Sequence, residues 1–227
     1  FLPIVFLLYW RVGSLSWQNK IVVVASMFFY GWWDWRFLLL MVATCVVNYY
    51  LGIAIERNEE RRYRKHWLLT AIVINIGLLA VFKYFNFFAD NLAVLFSWFG
   101  INADVPTLHV ILPIGISFYT FQLTAYVVDV YRRQLTACKS LELFLSFICF
   151  FPQLVAGPIE RGANLLPQFS KKRVFDYAFA TDGMRLFLWG LMKKMLVADN
   201  CAPVVDYVFG NYQGLSTIDL WIGLIAF

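Results

Sequence analysis

The sequence predicts an all-α, polytopic membrane protein. Of its 227 residues, 61% are hydrophobic and 15% are charged, whereas a soluble domain is nearer half apolar and a quarter charged. The mean hydropathy is +0.67. The net charge of +5 is carried by short loops between apolar runs, where lysine and arginine set the topology of a membrane protein. A nucleic-acid partner is therefore not expected.

The first half of the chain alternates between apolar runs and polar loops. Residues 1–10 are too short to span a bilayer and are interpreted as the end of a first helix, whereas residues 21–33 end in aromatic side chains typical of a membrane interface. Residues 37–55 carry no charge and form the clearest predicted span. The arginines and lysines in residues 56–66 predict a cytoplasmic loop, and residues 67–82 form the next span.

The second half continues this alternation. Residues 86–107 contain aspartates but no lysine or arginine, which predicts an outside segment that holds a surface helix. Residues 108–128 form a span, a second basic loop follows at 132–139, and residues 143–159 are apolar again. The remaining segments are a predicted membrane-surface stretch at 169–179, a helix at 185–198, an outside loop at 199–216 and the start of another span at 217–227.

Residues 151–161, FPQLVAGPIER, interrupt the last of these apolar runs. Pro152, Gly157 and Pro158 disfavour a continuous helix, and irregular backbone at membrane depth is tolerated only inside protein or along a wet cavity. Basic loops precede and follow the segment, so the positive-inside rule predicts that the chain enters the membrane and returns to the same side. The alternative is a helix pair with a tight turn at the membrane surface.

A polar stripe runs along the predicted helix at 108–128. Tyr119, Gln122, Tyr126 and Asp129 are spaced three, four and three residues apart, which places them on one helix face. Arg133 follows Asp129 by four residues, a spacing at which the pair can interact. Two interpretations are open: the stripe is one wall of a hydrophilic tunnel, or Asp129 and Arg133 fix the depth of the helix.

Other polar residues in the apolar runs have simpler interpretations. Asn48 is expected to make a helix–helix hydrogen bond rather than a substrate contact. His66 and His109 are far apart and match no metal motif, and the four cysteines show no ligand spacing. No metal site and no disulfide framework are predicted.

Five motifs in order resemble those of the membrane-bound O-acyltransferases. The two longest are LPIGISFYTFQLTAYVVDVYR at 112–132 and FPQLVAGPIER at 151–161. FYGWWDWRFLLL at 29–40, FKYFNFF at 82–88 and GLMKKMLVADN at 190–200 agree with them. The chain is most similar to the bacterial branch that contains alginate O-acetylases and peptidoglycan O-acetyltransferases, and the resemblance covers nearly its whole length.

The resemblance implies a ring of tilted transmembrane helices around a funnel in the bacterial cytoplasmic membrane. It implies an O-acyltransferase that passes an acyl group, here an acetyl group, to hydroxyls of an exported polysaccharide such as alginate. The co-substrate would be acetyl-CoA or another activated acyl carrier, with no bound cofactor. Extracytoplasmic acetyltransferase proteins, the polysaccharide and membrane lipids are the expected partners.

The resemblance also carries expectations about residues. Residues 1–227 would be a single membrane domain, the N-terminal part of the fold, truncated at both ends. The family's catalytic histidine is expected beyond Phe227, so neither His66 nor His109 receives that role and no catalytic residue is assigned. The candidates for the wall of the substrate tunnel are Gln122, Asp129, Gln153 and Arg161.

Other functions remain open on the sequence. One alternative is a membrane transporter with a broken-helix binding site, for which a second such break would be expected. A purely structural membrane scaffold is another. Within the family, peptidoglycan or teichoic acid could replace alginate as the acceptor.

Overall fold

The computed structural model describes residues 1–98, 112–155 and 157–227 of the chain. Every regular element in these residues is a helix, and they contain no strand, which confirms the all-α prediction. The chain divides into two compact units, Phe1–Val174 and Phe175–Phe227. A single membrane domain over the whole chain stays a prediction.

A series of helices forms the first unit. It begins with α1 (Leu2–Arg11), α2 (Leu15–Gly31), α3 (Trp35–Arg57) and α4 (Arg61–Leu79). A π-helical turn at Ala80–Tyr84 joins α4 to α5 (Phe85–Trp98). Then follow α6 (Ile116–Tyr131), α7 (Leu141–Ile148), the one-turn α8 (Phe151–Leu154) and α9 (Gly162–Ser170).

Side-chain caps fix the start of two of these helices. Asp34 accepts a hydrogen bond from the Arg36 N–H at 2.8 Å and pairs with the Arg36 guanidinium at 2.9 Å. The hydrogen bonds from the Arg36 side chain and backbone hold the pKa of the Asp34 carboxyl below its usual value. At α7, the Ser140 hydroxyl accepts from the Leu143 N–H at 3.3 Å. Both helices thus begin where a local acceptor satisfies an otherwise unpaired donor.

Two stretches of helix are long and apolar enough to cross a membrane by length and composition, namely α3 and the continuous helix over residues 61–98. The first covers the predicted span at 37–55. The predicted loop at 56–66 is wrong for most of its length, because residues 56–57 end α3 and residues 61–66 form the first turns of α4. Arginine and lysine are good helix formers, and neither glycine nor proline interrupts that stretch.

The core of the first unit lies where α6 packs against α3 and α4. Tyr119, Leu123 and Tyr126 of α6 have no exposed surface. A Cβ atom at Gly52 would lie 2.8 Å from the Tyr126 ring, so glycine lets this ring rest directly on α3. The Tyr126 hydroxyl accepts a hydrogen bond from the Cys138 N–H at 2.9 Å. This bond fixes the loop after α6 against the core.

A buried amide pair joins α3 to α4. Asn48 donates to the Asn75 Oδ1 at 2.8 Å, and Asn75 donates back to the Asn48 Oδ1 at 2.9 Å. Asn75 also donates to the Thr124 hydroxyl of α6 at 3.2 Å. Neither asparagine has exposed surface. The predicted helix–helix hydrogen bond of Asn48 is therefore confirmed.

The second unit contains α10 (Tyr177–Lys193), a π-helical turn at Lys194–Ala198, α11 (Asp199–Gly210) and α12 (Thr217–Ala226). The loop predicted at 199–216 is wrong for most of its length, because residues 199–210 are helical. Val208 of α11 packs on Gly223 of α12, where a Cβ would lie 2.4 Å from a Val208 methyl group. The apolar residues of this stretch repeat with the helix period, and the stretch is helical although it contains Pro203 and two aspartates.

Candidate functional site

The segment predicted to interrupt a membrane helix does break the helix. The eight-residue α7 ends at Ile148, and the one-turn α8 and irregular backbone follow before α9 begins at Gly162. At 1.5 Å per residue, α7 is about 12 Å long, far short of a hydrocarbon core of about 30 Å. The Phe151 N–H donates to the hydroxyl of the buried Ser26 at 3.2 Å. The break therefore comprises residues 149–161, and the one-turn α8 within it is anchored on α2.

α7 and α8 run antiparallel to α6. The rings of Tyr126 and Phe144 lie 4.8 Å apart, and farther along the Gln122 Nε2 donates to the Phe147 carbonyl at 3.3 Å. At the start of α6, a Cβ on Gly115 would lie 2.6 Å from the carbonyl oxygen of Leu154. The chain therefore leaves the C-terminal end of α6 and reaches its N-terminal end at Leu154.

The chain then returns along α6. A Cβ on Gly162, at the start of α9, would lie 2.9 Å from the Leu135 side chain and 3.6 Å from the Tyr126 ring. Both of these residues belong to the C-terminal end of α6 or to the loop that follows it. Residues 141–162 therefore start and finish at the same end of α6.

Gly115 is the contact point between α6 and the break. Its φ of 76° is in the left-handed region, which glycine adopts without steric cost. The missing Cβ also allows the backbone of Leu154 to approach. Next to it, the Tyr30 hydroxyl donates to the Ile114 carbonyl at 2.7 Å. The backbone before α6 is thus held from two sides, by α2 and by the break.

Three buried polar groups of α6 and α8 have no hydrogen-bond partner among the described residues. They are the Tyr119 hydroxyl, the Thr120 hydroxyl and the Gln153 Nε2. Tyr119 and Thr120 have no exposed surface. A buried polar group without a partner costs about 1–3 kcal/mol, so native proteins keep few of them and these usually have a reason.

Of the four candidate tunnel residues, two lie on α6. Gln122 is 5% exposed, and its amide bridges α6 and α7 through the Phe147 carbonyl. Asp129 is 7% exposed, and its backbone carbonyl accepts from the Gln134 N–H at 3.0 Å. The carboxylate of Asp129 forms no ion pair in the part of the chain that the structure describes.

The predicted interaction of Asp129 with Arg133 is not formed. α6 ends at Tyr131, and Arg133 has a φ of 62°, so its backbone is no longer helical. The helical spacing of four residues therefore no longer applies at this position. The interpretation that Asp129 and Arg133 together fix the depth of the helix is therefore wrong.

The other two candidates lie in the break. Gln153 belongs to α8, and its carbonyl accepts from the Gly157 N–H at 2.9 Å. Arg161 is exposed and caps α9 through its carbonyl, which accepts from the Asn164 N–H at 3.0 Å. Within the described ranges, the Arg161 guanidinium has no ion-pair partner. His109 lies outside the described residues.

Sequence reasoning missed two features of this site. Thr120 gave no signal, since a threonine in an apolar helix usually bonds to its own backbone. The contact of Gly115 with Leu154 joins residues far apart in sequence. The adjacent Pro113 and Gly115 indicated only that the start of the helix is irregular.

The chain aligns over its full length with acetyltransferases. It is 38% identical to a protein of Pseudomonas aeruginosa described as probable alginate O-acetylase AlgI, and the alignment covers 43% of that protein. It is 37% identical to the protein of the same description from Azotobacter vinelandii, of which 45% is covered. Identity to a peptidoglycan O-acetyltransferase of Helicobacter pylori is 33%, with 48% of that protein covered.

The chain spans less than half the length of the curated relatives it matches. No family model matches it, and no solved structure matches it. The resemblance that its motifs predicted is confirmed: over its whole given length, this chain is homologous to part of the bacterial alginate O-acetylases and to part of a peptidoglycan O-acetyltransferase.

Proposed function

We propose that the protein is a membrane-bound O-acetyltransferase, that it crosses the bacterial cytoplasmic membrane several times, and that it transfers an acetyl group to hydroxyls of an exported polysaccharide. The single observation that carries this proposal is the alignment of the whole chain with relatives that are all named as acetyltransferases of alginate or peptidoglycan. The two helices long and apolar enough to cross a membrane support the location.

In this proposal, residues 141–162 form a re-entrant segment in the wall of the acyl tunnel, inside a ring of tilted helices. The return of the chain to the same end of α6 supports it, as do the basic loops on both sides. Irregular backbone at membrane depth needs protein or a wet cavity beside it. A tunnel along α8 would supply that cavity and would also shield an activated acyl group from bulk water.

The four candidate tunnel residues have different tasks in this proposal. Gln153 offers a buried amide N–H without a partner in the described structure, which suits an acyl carbonyl or another acceptor on the donor. Asp129 and Gln122 line the α6 side. Arg161 is exposed at the last residue of the break, just before α9. There its planar guanidinium can bind the anionic part of the donor bidentately. No residue of this chain is proposed as the general base.

Alginate is the proposed acceptor because the relatives named above include alginate O-acetylases from two organisms. Peptidoglycan is the second candidate because of the Helicobacter relative, and teichoic acid is a more distant one. The donor would be acetyl-CoA or another activated acyl carrier. Extracytoplasmic acetyltransferase proteins would accept or direct the acetyl group outside the membrane.

The test is an acetylation assay with the full-length protein in membranes of a host that lacks its own polysaccharide acetylation. Alginate, peptidoglycan and teichoic acid are offered in turn, with acetyl-CoA, and ester-linked acetyl groups are counted by NMR. Acetyl transfer to alginate is expected. Correctly inserted protein that acetylates none of the three glycans, even with a cytosolic extract as the donor source and a periplasmic extract as the source of partner proteins, would overturn the proposal.

A matched pair of glutamine variants tests the tunnel wall. Gln153→Ala removes the buried unpartnered amide, and Gln134→Ala removes an exposed amide in the loop after α6. A lost hydrogen bond of about 1.4 kcal/mol predicts about a tenfold fall in acetylation for the first variant, and no fall for the second. Equal activity of the two variants, at equal protein level, would remove Gln153 from the tunnel.

A further inference from the structure

A cavity outside the proposed tunnel lies between α1, α2, the break and α9. Its volume is about 320 Å³, and nearly all of its wall is apolar. None of the four candidate tunnel residues lines it. Its apolar wall includes Leu2, Phe6, Phe150, Pro152 and Leu165, and Tyr9, Phe169 and Arg173 lie together at one end of the wall.

Among the residues that the structure describes, only neutral groups bind the guanidinium of Arg173. It donates to the Asn19 Oδ1 at 2.6 Å and to the Gln168 carbonyl at 3.2 Å. It lies over the rings of Tyr9 and Phe169, at 5.5 and 5.3 Å from their centroids. Its Nε is buried without a partner, and no carboxylate pairs with it among the described residues.

Arg173 is firmly positioned. The Gln18 side chain donates to the Arg173 carbonyl at 2.8 Å and accepts from its N–H at 3.1 Å. Gln18 itself is 1% exposed. The position of the charge is therefore set by the fold, although none of the described residues supplies an anion that pairs with it. A half-buried cation without a counter-ion is costly, and this one lies at the end of an apolar cavity.

Two lysines lie near the N-terminal part of α2, where Asn19 binds Arg173. The Lys172 ammonium lies 4.0 Å from the position of a Cβ at Gly13, in the turn between α1 and α2. A second apolar groove beside α1, of about 550 Å³, includes Lys20 in its wall. Lys20 follows Asn19, which binds Arg173. Arg173, Lys172 and Lys20 therefore all lie near the N-terminal part of α2.

We propose that this cavity is a binding site for an anionic glycerophospholipid, with one acyl chain in the apolar cavity and the phosphate on Arg173 and Lys172. An apolar cavity alone would take any acyl chain, and surface lysines alone would take any anion. The combination selects a molecule with both parts. A phosphate accepts charge-assisted hydrogen bonds from a guanidinium, and anionic lipids concentrate in the cytoplasmic leaflet, the side predicted for this basic segment.

The lipid site goes beyond the proposed function and does not depend on acyl transfer. The test therefore measures lipid retention by the purified full-length protein in detergent, using native mass spectrometry. The probes are dioleoyl phosphatidylglycerol, dioleoyl phosphatidylcholine with the same chains, and inorganic phosphate alone. Wild-type protein is expected to retain phosphatidylglycerol about tenfold better than phosphatidylcholine, a difference of about 1.4 kcal/mol, and to retain no phosphate.

Three variants separate the two parts of the site. Arg173→Gln removes the charge and is expected to abolish the preference for phosphatidylglycerol. Leu2→Trp fills the cavity and is expected to reduce retention of both lipids, whereas Leu7→Trp adds the same side chain to α1 outside the cavity wall and is expected to bind like wild type. This pair leaves Arg173 intact, so it decides the matter even if Arg173→Gln does not fold.

Three results would overturn the proposal. One is equal retention of the two lipids by wild-type protein, which would mean that the charge selects nothing. Another is equal retention by Leu2→Trp and Leu7→Trp, which would place the lipid elsewhere. The third is retention of inorganic phosphate without lipid, which would show an anion site only.

Discussion

Replacement of Gly115 by alanine is expected to destabilise the contact between α6 and the break. The residue has a φ of 76°, and a left-handed conformation costs a non-glycine residue about 1–2 kcal/mol. The new Cβ would also lie 2.6 Å from the Leu154 carbonyl oxygen. Because that atom belongs to the backbone, no rotamer change relieves the overlap, and overpacking of this kind costs typically about 1–3 kcal/mol.

The two contributions together predict a loss of about 2–5 kcal/mol in the free energy of unfolding for Gly115→Ala. Gly115→Asn separates them, because asparagine tolerates the left-handed region but still carries a Cβ. Its loss should be smaller than that of alanine, about the 1–3 kcal/mol of the overlap alone. The displaced Leu154 adjoins Gln153, so acetylation should fall for both variants wherever the protein is still inserted in the membrane.

A matched glycine variant is expected to change the free energy of unfolding in the opposite direction. Gly77 lies inside α4, and a Cβ there would meet nothing within 4 Å. Gly77→Ala is therefore expected to stabilise the protein by about 0.5–1 kcal/mol. The assay is denaturant unfolding of the full-length protein in detergent. If Gly115→Ala unfolds at the same denaturant concentration as wild type, the contact of α6 with the break does not exist in the protein.

Three further outcomes are expected. A double-mutant cycle of Asn48→Ala and Asn75→Ala should give a coupling free energy of about 1–2 kcal/mol in the same unfolding assay, and independent effects would contradict the reciprocal hydrogen bonds. Arg161→Lys keeps the charge but loses the planar fork, so acetylation should fall at unchanged protein level, and full activity of Arg161→Ala would exclude a role for this residue. A cysteine placed at Glu59 should resist impermeant thiol reagents in intact cells, because its loop is predicted to be cytoplasmic, and labelling from outside would invert the topology.

The sequence by itself determined the helical class, most of the apolar segments and the position of the break. These features depend on local chemistry: apolar residues repeat with the helix period, and Pro152 and the Gly157–Pro158 pair oppose helix within a few residues of themselves. The same local reasoning erred where charged residues were interpreted as a loop signal. Residues 61–66 are basic and residues 199–210 carry two aspartates, yet both stretches are helical.

The tertiary structure decided which distant groups meet. Gly115 contacts Leu154, Gln122 bonds to the Phe147 carbonyl, and Arg173 lines a cavity whose wall includes residues of α1. No pattern in the sequence encodes these pairs, because each depends on the direction in which a helix returns after a turn. The loss of the predicted interaction of Asp129 with Arg133 has the same origin. Helical spacing holds only while the helix continues, and α6 ends in a turn where Arg133 is left-handed and the Gln134 N–H donates to the Asp129 carbonyl. The Tyr126 and Cys138 hydrogen bond then holds the loop beyond this turn against the core.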